Sequence, residues 1–187
     1  GGGLGGGSSD AATTLIALNR LWSLGLTRAR LMRLGLRLGA DVPVFVFGEN
    51  AFAEGVGEEL QACPLPEAWY VVLFPPVQVP TAQIFAHPEL TRDTVSITMR
   101  ALLNGQKQEL RNDLQQVVCG LYPEVALHLA CLDNFGKARM TGSGACVFAE
   151  FAGRSRAEAV LRQLPHQMRG VVAQGLARHP LHDWVTD

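Results

Sequence analysis

The sequence has no lysine before Lys107, and this absence excludes one common phosphate-binding motif. A Walker A loop requires a lysine directly after its last glycine, because the ammonium group reaches the outer phosphates of the nucleotide. The glycine-rich stretch at residues 1–7 is followed by serines instead. A Walker A loop is therefore excluded at this position.

The four cysteines and five histidines show none of the spacings that bind zinc or form redox pairs. No two cysteines form C-x-x-C, and no two histidines form H-x-x-x-H. The sequence therefore leaves metal ligands unassigned. Scattered cysteines in a chain of this size are typical of a reducing cytosol, so we expect a cytoplasmic protein.

Strong net charge and long apolar runs are also lacking. The formal net charge is -1 and the pI is near 6.6, so no broad basic surface is available for nucleic acid. No apolar run approaches the roughly 18 residues that cross a bilayer. With 48% hydrophobic and 18% charged residues in a chain of 187, we expect a globular protein whose partner is a small molecule.

The stretch GGGLGGGSSDAA at residues 1–12 predicts a phosphate-binding loop. Its glycines allow the backbone to come close to a ligand without a Cβ in the way. Ser8, Ser9 and Asp10 are good N-cap residues, and a helix with regular apolar spacing is predicted over residues 9–24, ending at Gly25. The loop would place an anion, such as a nucleotide phosphate, at the positive end of that helix.

Two other kinds of segment share features of the glycine-rich stretch. Residues 1–6 match G-x-G-x-x-G, but the acidic residue that a dinucleotide site needs about 20 residues later is absent. A flexible Gly/Ser linker is the remaining alternative. Linkers do not normally run straight into a capped amphipathic helix, which favours the phosphate loop.

Three motifs in this order resemble those of the GHMP kinases, a family of small-molecule kinases. They are GGGLGGGSSDAAT at residues 1–13, GADVPVF at residues 39–45 and MTGSGA at residues 140–145, so the resemblance spans essentially the whole chain. It implies ATP-dependent phosphorylation of a small alcohol, with Mg²⁺ accompanying the ATP. The implied ATP-binding residues are those of the first loop: Gly1, Gly2, Gly3, Leu4, Gly5, Gly6, Gly7, Ser8 and Ser9.

Asp41 is the candidate catalytic residue. It lies between a predicted helix and a predicted strand, where a turn aspartate that accepts backbone hydrogen bonds is the simpler interpretation. The resemblance implies the other role, because the family has a catalytic aspartate at the matching position. The residues that flank Asp41 agree with the family pattern.

Phe85 and Thr81 are the candidate substrate-binding residues. Taken alone, Phe85 is most simply a core aromatic, on a short helix that Thr81 could cap. The triple-glycine form of the family loop implies a cytidyl-bearing alcohol as substrate, with Phe85 stacked on the cytosine and Thr81 as a neighbour. The resemblance further implies a structural role for residues 112–114, of which Asp113 is a plausible helix cap.

The resemblance also implies that the loop of residues 141–144 lies near the first loop.

The predicted elements form an α+β fold with an antiparallel sheet and helices on one face. Strands are predicted at residues 44–47, 51–55, 69–74, 145–151 and 168–174, and helices begin at Thr27, Thr81, Asp113, Pro123 and residue 155, with a loop at residues 104–107. The resemblance implies two domains. Residues 1–57 would be the remainder of the N-terminal, ATP-binding domain, and residues 58–187 the C-terminal domain.

The chain begins inside its own phosphate loop, so we expect an N-terminally truncated piece. The family uses a lysine on an early strand, and neither Lys107 nor Lys137 matches its motif. The isolated chain is therefore expected to be inactive. Two alternative functions remain: another GHMP kinase, of homoserine or mevalonate type, and a non-catalytic nucleotide-binding fragment. The sequence is compatible with a homodimer.

Overall fold

A computed structural model describes residues 2–95, 98–100 and 110–187, which divide into two compact units. The helical unit comprises residues 5–66 and 176–187, and the sheet unit comprises residues 2–4 with the described part of 67–175. The domain boundary between residues 57 and 58 stays a prediction. The loop predicted at residues 104–107 lies outside the described residues.

The helical unit contains three helices, a hairpin and one 3₁₀ turn within its described residues. The helices are α1 (Gly6–Leu21), α2 (Arg28–Leu36) and α3 (Val42–Phe47), the strands are β1 (Ala51–Glu54) and β2 (Glu59–Ala62), and the 3₁₀ turn is His182–Trp184. Strands β1 and β2 pair antiparallel. The core of the unit comprises small and branched apolar residues from all three helices and from Val185: Ala12, Ile16, Leu31, Val42, Val46 and Val185.

Helix α1 begins and ends earlier than predicted. Its N-cap is Gly5, at φ 67°, and no side chain caps it, so the expectation that a residue at positions 8–10 would cap the helix was wrong. The left-handed turn at Gly5 lets the chain enter the helix within the glycine run. The helix ends at Leu21 rather than near Gly25, because the Asn19 side chain binds both the N–H and the carbonyl of Leu26 and turns the chain back.

The strand predicted at residues 44–47 was also wrong, because these residues belong to helix α3. Pro43 occupies its first turn, where a missing N–H costs nothing. Val42 and Val46 are four residues apart and both enter the core, which is the spacing of a helix rather than of a strand. The Gly48 N–H donates to the Val44 carbonyl (3.0 Å) and ends the helix. Burial against α1 and α2 thus overrides the strand propensity of a Val/Phe run.

The sheet unit confirms the predicted α+β fold. Its antiparallel strands have the order β4-β5-β3-β6, with β3 (Trp69–Leu73), β4 (Ala138–Met140), β5 (Val147–Phe151) and β6 (Gly170–Gln174). The helices of this unit are α4 (Thr81–Phe85), α5 (Asp113–Leu121), α6 (Pro123–Asp133) and α7 (Arg154–Gln163). Alternate residues of β3 and β5, including Val71, Leu73, Val147 and Ala149, are buried in one core with residues of α6 and α7.

Across the described residues, no helix combines the length and the apolar character that a bilayer crossing needs.

Arg28 of α2 joins the C-terminal segment, residues 176–187, to the end of α3. The residue is 7% exposed, and its guanidinium donates to five oxygens: the carbonyls of Val46, Phe47, His182 and Val185 and the carboxylate of Asp187. The hydrogen bond from Arg28 lowers the pKa of the Asp187 carboxyl, which therefore stays ionised at neutral pH. By contrast, Arg30, Arg33 and Arg37, which lie within or directly after α2, are exposed.

Replacing Arg28 with Ala should lower the free energy of unfolding by about 2 kcal/mol or more. Four largely buried carbonyls would lose their donor, and each unsatisfied buried group costs about 1–3 kcal/mol. Denaturant midpoints measure the change. The matched control is Arg33→Ala on the exposed face of the same helix, which should change stability by about 0.5 kcal/mol at most. Equal effects of the two substitutions would show that Arg28 does not hold this segment.

Candidate active site

The second half of the first glycine loop forms the start of α1. The first hydrogen bond of this helix runs from the Ser9 N–H to the Gly5 carbonyl (2.8 Å). The N–H groups of Gly6, Gly7 and Ser8 precede that bond and have no partner within the helix. Gly6 and Gly7 are exposed. The start of a 16-residue helix therefore presents free donors and a partial positive charge, which together suit a phosphate group.

The first turn of α1 packs against the segment that carries Asp41. A Cβ placed on Gly5 would lie 2.9 Å from Phe45 Cζ, and one placed on Gly39 would lie 4.0 Å from the Ser8 hydroxyl oxygen. Asp41 follows Gly39 by two residues and is the N-cap residue of α3. The helical unit thus brings the predicted catalytic aspartate into the same neighbourhood as residues 5–8 of the predicted phosphate loop.

The Asp41 carboxylate is exposed and takes no part in capping α3. Its backbone is helical (φ -84°, ψ -9°), whereas an aspartate that caps through its side chain normally has an extended backbone. Within residues 2–95, 98–100 and 110–187, the structure shows no hydrogen bond or ion pair to this carboxylate. The turn-aspartate interpretation was therefore wrong, and the group is available to a ligand.

The first half of the loop is held by the second glycine loop, residues 141–144, within the sheet unit. The Thr141 hydroxyl donates to the Gly3 carbonyl (2.7 Å), and the Cys146 N–H donates to the Gly2 carbonyl (3.2 Å). Gly3 has φ +70°, and a Cβ there would lie only 2.1 Å from the Thr141 carbonyl oxygen. The expectation that the two loops lie together is confirmed for Gly2 and Gly3. Gly1 lies outside the described residues, and Leu4 is exposed.

Helix α4 presents Phe85 to solvent rather than to the core. Phe85 is 57% exposed, whereas the neighbouring Ile84 is fully buried and anchors the helix. The core-aromatic interpretation of Phe85 was therefore wrong. Thr81 does not cap this helix, since Pro80 is the N-cap residue, but its hydroxyl lies 2.7 Å from that of Ser143. Both candidate substrate residues thus lie on one short helix that contacts the second loop.

Asn112 was assigned only a general structural role from the sequence, although it makes specific contacts with the second loop. Its side-chain oxygen accepts from the Leu114 N–H (3.0 Å), so Asn112, not Asp113, caps α5. Its amide donates to the carbonyls of Met140 (3.1 Å) and Gly142 (2.7 Å). Asparagine and aspartate are nearly equal as N-caps, so the sequence alone did not separate them.

Cys146 lies beside both loops but is not a candidate nucleophile. The residue is 4% exposed, and burial raises the pKa of its thiol, which keeps the sulfur protonated at neutral pH. Over the described part of the chain, no group of three His, Cys, Asp or Glu side chains could hold a metal ion.

Two family models match the chain in the regions that carry these groups. The GHMP kinases N-terminal domain matches residues 1–49, and the GHMP kinases C-terminal domain matches residues 96–170. The first match contains the first loop and Asp41, and the second contains Asn112 and the second loop. The chain belongs to the GHMP kinases.

Known proteins that resemble the chain include one from Thiobacillus denitrificans. It is named 4-diphosphocytidyl-2-C-methyl-D-erythritol kinase and is 63% identical over all 187 residues, and the chain spans 66% of its length. A solved structure of 4-(cytidine 5'-diphospho)-2C-methyl-D-erythritol kinase superimposes with a TM-score of 0.77 at 34% identity, covering 93% of this chain and 66% of that one.

A more distant structure shares the fold. Homoserine kinase from Cytophaga hutchinsonii superimposes with a TM-score of 0.63 at 14% identity, covering 96% of this chain and 67% of that one. The fold is therefore shared by kinases whose names give different acceptors.

Proposed function

We propose that the protein transfers the γ-phosphoryl group of ATP to the 2-hydroxyl of 4-diphosphocytidyl-2-C-methyl-D-erythritol, a step of non-mevalonate isoprenoid biosynthesis. The observation that carries this proposal is the exposed carboxylate of Asp41, which has no hydrogen bond or ion pair within the described residues and belongs to the segment that packs against the first turn of α1. The choice of acceptor is supported by the whole-chain similarity to a relative of that name.

ATP is the phosphoryl donor in this proposal, and residues 1–9 bind it. Phosphoryl transfer needs placement of the γ-phosphate and neutralisation of its charge more than covalent help from the protein. The N–H groups of Gly6, Gly7 and Ser8 supply donors whose position is set by the helix. Gly2 and Gly3 supply backbone that is already fixed by the second loop. The phosphates therefore meet groups that need little reorganisation.

Mg²⁺ would enter with ATP. Magnesium bound to nucleotides is usually held by phosphate oxygens, waters and one or two protein groups, so a dedicated protein cage is not required. Ser8 and Ser9 are the residues we expect beside it, because their hydroxyls lie in the first turn of α1. The ion supplies positive charge to the phosphate oxygens.

Asp41 acts on the acceptor as the general base. A carboxylate without a protein partner can accept the proton of the attacking hydroxyl or orient that hydroxyl by a hydrogen bond. Its backbone is held by α3, whose end is in turn bound by Arg28. The base therefore lies at the start of a helix whose far end is held by Arg28.

Phe85 selects the acceptor. An exposed aromatic ring on an anchored helix suits stacking on a nucleobase, and burying it against cytosine would also remove apolar surface from water. Thr81 would lie next to the stacked base. Kinases of homoserine or mevalonate type would share the first loop and the aspartate but would have no use for this ring.

The proposal extends to the location and the partners of the protein. We place the protein in the cytoplasm, with a small molecule rather than nucleic acid as its partner, since the net charge is close to zero.

Replacing Asp41 with Asn in the natural protein should reduce turnover by about 10²-fold or more, the usual effect of losing a general base. ATP affinity should stay nearly constant, because the change keeps the side-chain volume and leaves residues 1–9 untouched. Coupled ADP release and calorimetry measure the two quantities. Glu59→Gln, an exposed carboxylate-to-amide change in the same unit, should leave both unchanged. Normal turnover of Asp41→Asn would remove Asp41 from the mechanism.

Replacing Phe85 with Ala should weaken binding of the cytidyl acceptor by about 1–3 kcal/mol, the usual contribution of stacking a base on an aromatic ring. The KM for ATP should barely change. Leu127→Ala, which removes another exposed apolar side chain of the same unit, is the control. If Phe85→Ala lowers thermal stability and leaves the acceptor affinity unchanged, Phe85 contributes to packing and not to acceptor binding.

Phosphorylation of homoserine or mevalonate in place of the cytidyl alcohol would refute the proposed acceptor.

A further inference from the structure

The side chain of Asn112 joins helix α5 to the second glycine loop. It makes three hydrogen bonds, one that caps α5 and two that donate to the carbonyls of Met140 and Gly142. The neighbouring turn of the same helix adds a fourth link, because the Gln115 side-chain oxygen accepts from the Met140 N–H (2.8 Å). The two carbonyls bound by Asn112 lie on either side of Thr141, so the amide fixes the backbone on both sides of that residue.

Thr141 connects the backbone held by Asn112 to the first loop by hydrogen bonds. Its hydroxyl donates to the Gly3 carbonyl, and its own N–H donates to the Cys146 carbonyl (3.0 Å). The Cys146 N–H in turn donates to the Gly2 carbonyl. A Cβ on Gly142 would lie 3.1 Å from the Gly3 carbonyl oxygen, so the two backbones are already in contact. A shift of residues 140–142 would therefore displace Gly2 and Gly3.

From these contacts we infer that Asn112 is a positioning residue for the phosphate loop, acting through residues 140–142 on Gly2 and Gly3. The inference rests on the proposed function in that the loop binds ATP. Among the described residues, Asn112 has no hydrogen bond to Gly2 or Gly3, and it need not touch the nucleotide. Its effect is to fix the loop before ATP arrives, so that less conformational entropy is lost on binding.

The alternative is that Asn112 only caps α5. Substitution by Asp separates the two roles, because Asp is as good an N-cap as Asn and its charge suits a helix start. A carboxylate cannot donate a hydrogen bond, and it would face the Met140 and Gly142 carbonyls with like partial charge. Asn112→Ser is a neutral second variant, which keeps a capping hydroxyl but removes the amide donors.

The experiment compares Asn112→Asp and Asn112→Ser with Gln116→Glu in the natural protein. Gln116 is exposed on the same helix, so this control adds the same charge without touching the second loop. Both Asn112 variants should raise the KM for ATP about tenfold or more, since two hydrogen bonds to the loop are lost, and should change the KM for the acceptor by less than about threefold. Gln116→Glu should change neither.

Amide hydrogen exchange supplies a second readout that does not depend on activity. Exchange of the Cys146 amide, which is bonded to the Gly2 carbonyl, should speed up in both Asn112 variants and not in Gln116→Glu. Unchanged exchange at Cys146, or an ATP KM that Gln116→Glu raises equally, overturns the positioning role. If the natural protein phosphorylates no alcohol but Asn112→Asp still speeds this exchange and weakens ATP binding, the proposed function falls and the positioning role stands.

Discussion

The contact between the Gly3 and Thr141 backbones is the constraint on which the site depends. A Cβ on Gly3 would lie 2.1 Å from the Thr141 carbonyl oxygen, and the Thr141 hydroxyl closes the same contact with a 2.7 Å hydrogen bond. Free glycine backbone loses more entropy on ordering than any other residue. Because this contact orders the Gly3 backbone when the protein folds, phosphate binding would not have to order it.

Each structural unit fixes, by its own contacts, some of the residues that we propose for binding ATP and its acceptor. In the sheet unit, Asn112 and Thr141 hold Gly2 and Gly3. In the helical unit, the first turn of α1 rests against α3, and Arg28 ties the far end of α3 to the C-terminal segment. The position of Asp41 therefore depends on residues more than 140 positions away in the sequence, through Val185 and its neighbours.

The sequence predicted those features whose cause is local. Glycines followed by a helix, the strands β3, β5 and β6 and the capping threonine of α2 are patterns of neighbouring residues, and the structure contains all of them. The features it missed depend on distant partners. Helix α3 exists because Val42 and Val46 meet α1 and α2, Asn112 finds its acceptors 28 and 30 residues away, and the burial of Arg28 requires residues 182–187. The exposure of Phe85 likewise depends on Ile84 taking the core position.

The most direct test of this account is the ATP affinity of Gly3→Ala, measured by calorimetry beside Gly153→Ala. A Cβ at Gly153 meets nothing within 4 Å, so that substitution controls for the loss of a glycine in the same unit. Gly3→Ala should weaken ATP binding about tenfold or more and should also lower the unfolding temperature below that of the control, because its Cβ would meet the Thr141 carbonyl oxygen at φ +70°. Equal ATP affinities for the two variants would contradict this account, because the contact between the two loops would then not shape the phosphate site.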